Sequence, residues 1–132
     1  MSYQKLTLVG NLGRDPEMRY TPGGHAVTNF SVAVNRSWSQ DGERMKETAW
    51  FRVTAWGKLA ESTNQYLKAG SRVLVDGRLT PGDNGGPNIW TTKEGETRAN
   101  FDVTAENVVF LDPKGDSNGR QEAPENSDAG IF

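Results

Sequence analysis

The 132 residues carry a formal net charge of −2, no cysteine and one histidine, His25. Disulfides and thiolate metal sites are excluded, and a His-based metal site or a Ser-His-Asp triad would have to rest on His25. That residue follows the turn signal Pro22-Gly23-Gly24 and reads as a solvated turn residue.

The length suits one domain with its own core. No apolar run approaches the length of a membrane span, and Met1-Ser2-Tyr3-Gln4-Lys5 lacks an apolar core behind a basic start, so a cytosolic protein is expected. Charge is unevenly spread: residues 1–111 hold 13 Lys and Arg against 12 Asp and Glu, whereas residues 112–132 hold 2 against 5. A near-neutral body cannot bind a polyanion by bulk charge, so any nucleic-acid affinity must come from locally placed basic groups and from stacking.

In chain order, Leu6 and Leu8 alternate with Thr7 and Val9, predicting a strand that ends in a turn at Gly10-Asn11-Leu12-Gly13. Asp15-Pro16 and Thr21-Pro22-Gly23-Gly24 mark further turns. Between Ala26 and Asn35 a half-buried strand is expected, with Phe30, Val32 and Val34 on one face and Asn29, Ser31, Ala33 and Asn35 on the other. Trp38 to Glu47 is polar around Asp41-Gly42 and reads as an extended hairpin or a mobile loop. The only helical pattern runs from Leu59 to Lys68, with Leu59, Ala60, Thr63, Tyr66 and Leu67 at three- and four-residue spacing before Ala69-Gly70.

Arg72 to Leu79 alternates Val73 and Val75 against Arg72, Asp76 and Arg78, and Thr80 to Pro87 is too rich in Gly and Pro for a regular strand. A second hairpin is expected over Trp90 to Thr97, then a long final strand over Arg98 to Leu111 with Phe101, Val103 and Ala105 inward. Five principal strands with one helix between the third and fourth is the order of an all-β OB-fold, a five-stranded Greek-key barrel. From Asp112 the composition turns to Pro, Gly, Ser, Asn and acid, so residues 112–132 are expected to form a disordered acidic tail, closing on Ile131-Phe132. Such an end could offer an aromatic ring and a carboxylate to a partner pocket.

The most informative stretch is Trp50-Phe51-Arg52-Val53-Thr54-Ala55-Trp56. As a strand it sends Phe51, Val53 and Ala55 to one face and Trp50, Arg52, Thr54 and Trp56 to the other. Two indoles with a guanidinium between them suit unpaired bases and their phosphates; the alternative is a sheet covered on both faces with one or both indoles in a core. Trp38, between Ser37 and Ser39, and Trp90, before Thr91 and Thr92, are likewise in polar settings. Basic residues accompany all four: Arg36 by Trp38, Lys46 before Trp50, Arg52 between the middle pair, Lys58 after Trp56 and Lys93 after Trp90. Together with Arg78 they are candidate phosphate contacts. Nothing resembles a recognition helix, so single-stranded nucleic acid is a better partner than duplex.

Val9-Gly10-Asn11-Leu12-Gly13-Arg14-Asp15-Pro16-Glu17-Met18-Arg19-Tyr20, Met45-Lys46-Glu47-Thr48-Ala49-Trp50, Trp56-Gly57-Lys58-Leu59-Ala60-Glu61 and Tyr66-Leu67-Lys68-Ala69-Gly70-Ser71 closely resemble the bacterial-type single-stranded DNA-binding protein family. The resemblance covers roughly Tyr3 to Leu111. It implies an OB-fold domain over residues 1–111 that assembles as a homotetramer and wraps single-stranded DNA in replication, recombination and repair. It further implies recruitment of replication and repair proteins through an acidic tip, which here corresponds to Asp128, Ile131 and Phe132; no cofactor, no metal and a nucleoid-associated cytoplasmic location are expected.

The family's stacking aromatics fall on Trp38, Trp50, Trp56 and Trp90, and Lys58 falls on a basic family position. Thr80 to Ile89 is longer than in the best-known relatives and shifts the register before Trp90. Family members usually end in a run of aspartates and Ile-Pro-Phe, where this chain has Asp128-Ala129-Gly130-Ile131-Phe132. Two other readings stay open beside non-catalytic single-stranded DNA binding. One is an OB-type module for RNA, or a restart or annealing factor; the other is a metal-dependent nuclease using carboxylates such as Asp76, Asp102 and Glu106, whose spacing follows no two-metal pattern.

Overall fold

The computed structural model describes residues 2–112. Its elements are β1 (Leu6–Leu12), β2 (Glu17–Tyr20), β3 (Ala26–Gln40), β4 (Glu43–Trp56), α1 (Lys58–Tyr66), β5 (Arg72–Leu79), β6 (Asn88–Thr91) and β7 (Thr97–Phe110). The pairing order β1-β5-β7-β4-β3 returns to β1 through Asn11↔Ala33 and Leu12↔Val32, so the five long strands close a barrel. β4 and β7 run parallel, Phe51↔Phe101 to Thr54↔Thr104, and the other pairings are antiparallel. This is the expected OB barrel, with α1 between the third and fourth long strands.

Closure depends on two close backbone approaches. A β-carbon on Gly10 would fall on the carbonyl oxygen of Ala33, and one on Gly77 on that of Thr104. Glycine at these positions lets β1 lie against β3 and β5 against β7. Beside Gly77 the β5–β7 register shifts, Asp76 facing Asn107 and Gly77 facing Ala105. The extra residue, Glu106, reverses the alternation, so that Ala105 and Val108 both turn inward.

Phe30, Val32, Val53, Ala55, Val73, Val75 and Val103 fill the barrel with Leu8 and Leu12. Leu67 joins them from just beyond α1. The helix presents Ala60 and Thr63, both fully buried, and the Thr28 hydroxyl on β3 donates to the Ala60 carbonyl at 2.7 Å, satisfying a buried polar group. Gly57, at φ 66°, permits the sharp turn from β4 into α1.

Several expectations shift. Gly10-Asn11-Leu12 belongs to β1 rather than to a turn, because the β3 ladder engages Asn11 and Leu12. The helix is Lys58–Tyr66, with Leu67 already extended at φ −102°, ψ 152°. Trp38 to Glu47 is a hairpin, not a loop: β3 and β4 pair without interruption from Val27↔Trp56 to Gln40↔Glu43. Its turn residues Asp41 and Gly42 have φ 51° and 81°, as a two-residue turn of primed type requires. The second hairpin begins earlier than expected, at Asn88.

Phe101 is the main correction to the inward set. Val103 and Ala105 are buried, but Phe101 is 51% exposed and packs on Phe51 with ring centres 5.6 Å apart. Its alternation is right, yet it lies past the closed part of the barrel, where no opposite wall covers it.

Candidate nucleic-acid interface

In β4 the side chains divide as the alternation demands. Val53 and Ala55 are fully buried and Phe51 half-buried, whereas Trp50 is 53% and Trp56 49% exposed. Arg52 lies exposed between the two indoles, and no ion pair or hydrogen bond of its side chain occurs among the described residues. Both tryptophans are therefore surface residues, not core.

The ladders determine what shares this face. Across from Trp50, Arg52, Thr54 and Trp56 stand Ala33, Ser31, Asn29 and Val27 of β3. On the other side Arg52 meets Asp102 and Thr54 meets Thr104, which in turn opposes Arg78 of β5. Arg98, four residues before Asp102 and so on the same face, opposes Trp90 of β6. Trp50, Trp56, Trp90, Arg52 and Arg78 thus occupy one side of the sheet, the outer side of the barrel. Polar contacts brace it: Arg19 donates to Asn29 at 2.9 Å, Asn29 to Thr54 at 3.0 Å, and the Thr80 and Thr104 hydroxyls meet at 2.6 Å.

Trp38 departs from this set. It opposes Met45, which puts it on the face of the β3–β4 ribbon opposite Trp50. Beyond the barrel the ribbon continues as an arm from Asn35–Gln40 and Glu43–Thr48, about 20 Å long at the usual strand rise. Arg36 and Trp38 lie on one face of the arm and Lys46 on the other. An open groove of about 500 Å³ is lined by Asn35, Arg36, Ser37, Lys46, Glu47 and Thr48.

Lys58 is the first helical residue, two beyond Trp56 across the Gly57 turn, and is exposed. Lys93 lies exposed in the β6–β7 turn.

Two features escaped the sequence reading. A concavity of about 220 Å³ is bounded by Arg14, Asp15, Glu17, Asn29, Phe30, Ser31 and Arg52, bringing a second arginine to the interface. Arg14 belongs to a motif read only as a turn and a family mark; the β1–β2 connection carries it across the barrel surface to Arg52. The second is Asp102, whose Oδ1 is buried beside the Arg52 row without a hydrogen-bond partner among the described residues. The carboxylates Asp76, Asp102 and Glu106 do not assemble: among the described residues no three His, Cys, Asp or Glu are gathered as a metal site. Asp76 is engaged elsewhere, accepting from Thr7 at 2.7 Å and pairing with Lys5 at 3.3 Å, and these contacts hold its carboxyl below the ordinary range. No helix among the described residues is long and apolar enough to cross a membrane.

Residues 3–111 match the single-strand binding protein family. The chain is 42% identical over 126 residues to a single-stranded DNA-binding protein of Wolinella succinogenes, covering 95% of this chain and 74% of the relative. Two single-stranded DNA-binding proteins of Neisseria meningitidis, from serogroups A and B, are each 40% identical over 120 residues, covering 90% of this chain and 66% of theirs. The relatives are named as binding proteins, and the family is not an enzymatic one.

Proposed function

The chain belongs to the single-strand binding protein family, and from that premise we propose that it binds and wraps single-stranded DNA without strong sequence preference. Bases stack on Trp38, Trp50, Trp56 and Trp90, while Arg36, Lys46, Arg52, Lys58, Arg78 and Lys93 meet phosphates. The observation that carries this reading is the pair of half-exposed indoles, Trp50 and Trp56, with the unpaired Arg52 between them on one strand face. Every base has a π-face, so stacking of about 1–3 kcal/mol per base tolerates any sequence.

In this role the protein protects single strands during replication, recombination and repair in the nucleoid-associated cytoplasm. It recruits partner enzymes through Asp128, Ile131 and Phe132, which lie outside the described residues. It works as a homo-oligomer, a tetramer by family likeness. Two features support self-association. Among the described residues Leu6 to Val9 of β1 pairs with β5 alone, and Val9, Leu74 and Val109 form an apolar cross-strand row on the outer face.

The test is a tryptophan-fluorescence titration with oligo-dT, an equal-length RNA and duplex DNA over a range of salt, with light scattering of the free and bound protein. Strong quenching by oligo-dT, weak effects of duplex and a salt slope near −0.7 per neutralised phosphate are expected. Absence of quenching by a long oligo-dT at low salt overturns the reading, and preference for RNA redirects it.

A further inference from the structure

We propose that Gly13 is the positioning residue for Trp50: its bare backbone is the floor on which the indole rests, holding the ring ready for a base. This inference rests on the stacking role of Trp50 argued above. A β-carbon on Gly13 would lie 2.7 Å from Cζ3 and 2.9 Å from Cη2 of Trp50, so the outer end of the six-membered ring is seated against the glycine.

The ladder explains how the ring arrives there. Ala33 of β3 opposes both Trp50 of β4 and Asn11 of β1. Its small side chain lets the indole cross β3 and reach the end of β1. The floor itself is anchored: Gly13 N–H donates to the Ser31 carbonyl at 3.1 Å, Leu12 N–H to Ser71 at 2.9 Å, and Gly70 N–H to the Leu12 carbonyl at 2.9 Å.

A ring held on a fixed floor has already lost the rotamer freedom that binding would otherwise remove. A methyl at position 13 would not meet backbone, as it would at Gly10; it would meet the far end of a side chain that can swing away. The substitution therefore spares the barrel and unseats the tryptophan. Arg14, next in the chain, borders the concavity that also contains Arg52, so the floor joins the stacking ring to two cations.

The experiment compares the full chain with Gly13→Ala, Trp50→Ala and the double variant, by oligo-dT affinity across salt and by thermal unfolding. Gly13→Ala is expected to keep the melting temperature and the salt slope while weakening oligo-dT binding by about three- to tenfold. Added to Trp50→Ala it should change nothing further, because the ring it unseats is gone. Equal weakening in both backgrounds, wild-type affinity of Gly13→Ala, or a fall in melting temperature as large as that of Gly10→Ala would overturn the inference.

A ligand-free arm separates this inference from the DNA reading. In a chain retaining only Trp50, with Trp38, Trp56 and Trp90 replaced by Phe, Gly13→Ala should shift the emission to longer wavelength and increase acrylamide quenching. An unchanged spectrum refutes the seat, whether or not the wild-type chain binds oligo-dT.

Discussion

The Arg36 guanidinium carbon stands 4.3 Å from the centre of the Trp38 ring, while its Nε donates to Glu47 at 3.0 Å. A cation from its own strand therefore covers one face of this indole, and in the proposed role a base would stack on the other. Because the ion pair is solvent-exposed on both sides, it contributes little to stability. Arg36→Gln is therefore expected to leave unfolding unchanged, to weaken oligo-dT binding by about two- to fivefold, and to lower the salt slope by about 0.7. Affinity measured at several salt concentrations checks both numbers.

For Trp50 and Trp56 the expected separation is between binding and folding. Each is about half-exposed, so truncation to Ala removes little core contact. Each single substitution should cost about 1–3 kcal/mol of oligo-dT affinity with the salt slope retained. Calorimetry of the free variants should show cooperative unfolding near the wild-type temperature. Loss of folding in Trp50→Ala would assign that indole to the core.

Gly10 behaves differently from a surface glycine. A methyl there meets the Ala33 carbonyl, a backbone atom in the ladder that closes the barrel, and cannot be accommodated by a side-chain rotation. Gly10→Ala should destabilise by about 1–3 kcal/mol, as overpacking does. Denaturant unfolding would measure it.

Among the described residues Asp76 is expected to contribute acid sensitivity. The Thr7 hydroxyl bond lowers its pKa most, partial burial opposes, and Lys5 lowers it further by hydrogen bond and charge. A carboxyl depressed in the folded state contributes stability above its unfolded pKa, and that contribution is lost as pH falls through the folded value. The wild-type chain should lose stability below about pH 4, and Asp76→Asn should be less stable at pH 7 but show a flatter acid limb. Unfolding midpoints from pH 7 to pH 2 decide it.

The tip is tested by removing Gly130 to Phe132. Oligo-dT affinity should remain within about twofold, since the proposed stacking and phosphate contacts lie in the body, while capture of replication and repair enzymes on bound DNA should be lost. Retained capture would refute the tip.

Much of this protein is readable in one dimension because strand alternation is a local property. The division of Trp50 to Trp56 into an apolar and a polar face, the position of β5 and the presence of a helix between β4 and β5 follow from side-chain period alone, and the structure keeps them. Even Asp41-Gly42 announces its hairpin through the conformations its residues tolerate.

Tertiary structure decided everything that depends on where strands end relative to one another. Alternation aims Phe101 inward, but only the height of the barrel leaves it exposed against Phe51. Trp38 and Trp50 look alike in sequence, yet the β3–β4 register sends them to opposite faces, because pairing converts an odd or even offset into a side of the sheet. Gly10 and Gly13 stand three residues apart in one motif: one faces a carbonyl and the other an indole. A glycine's role is set by what approaches it through space, and no local pattern carries that.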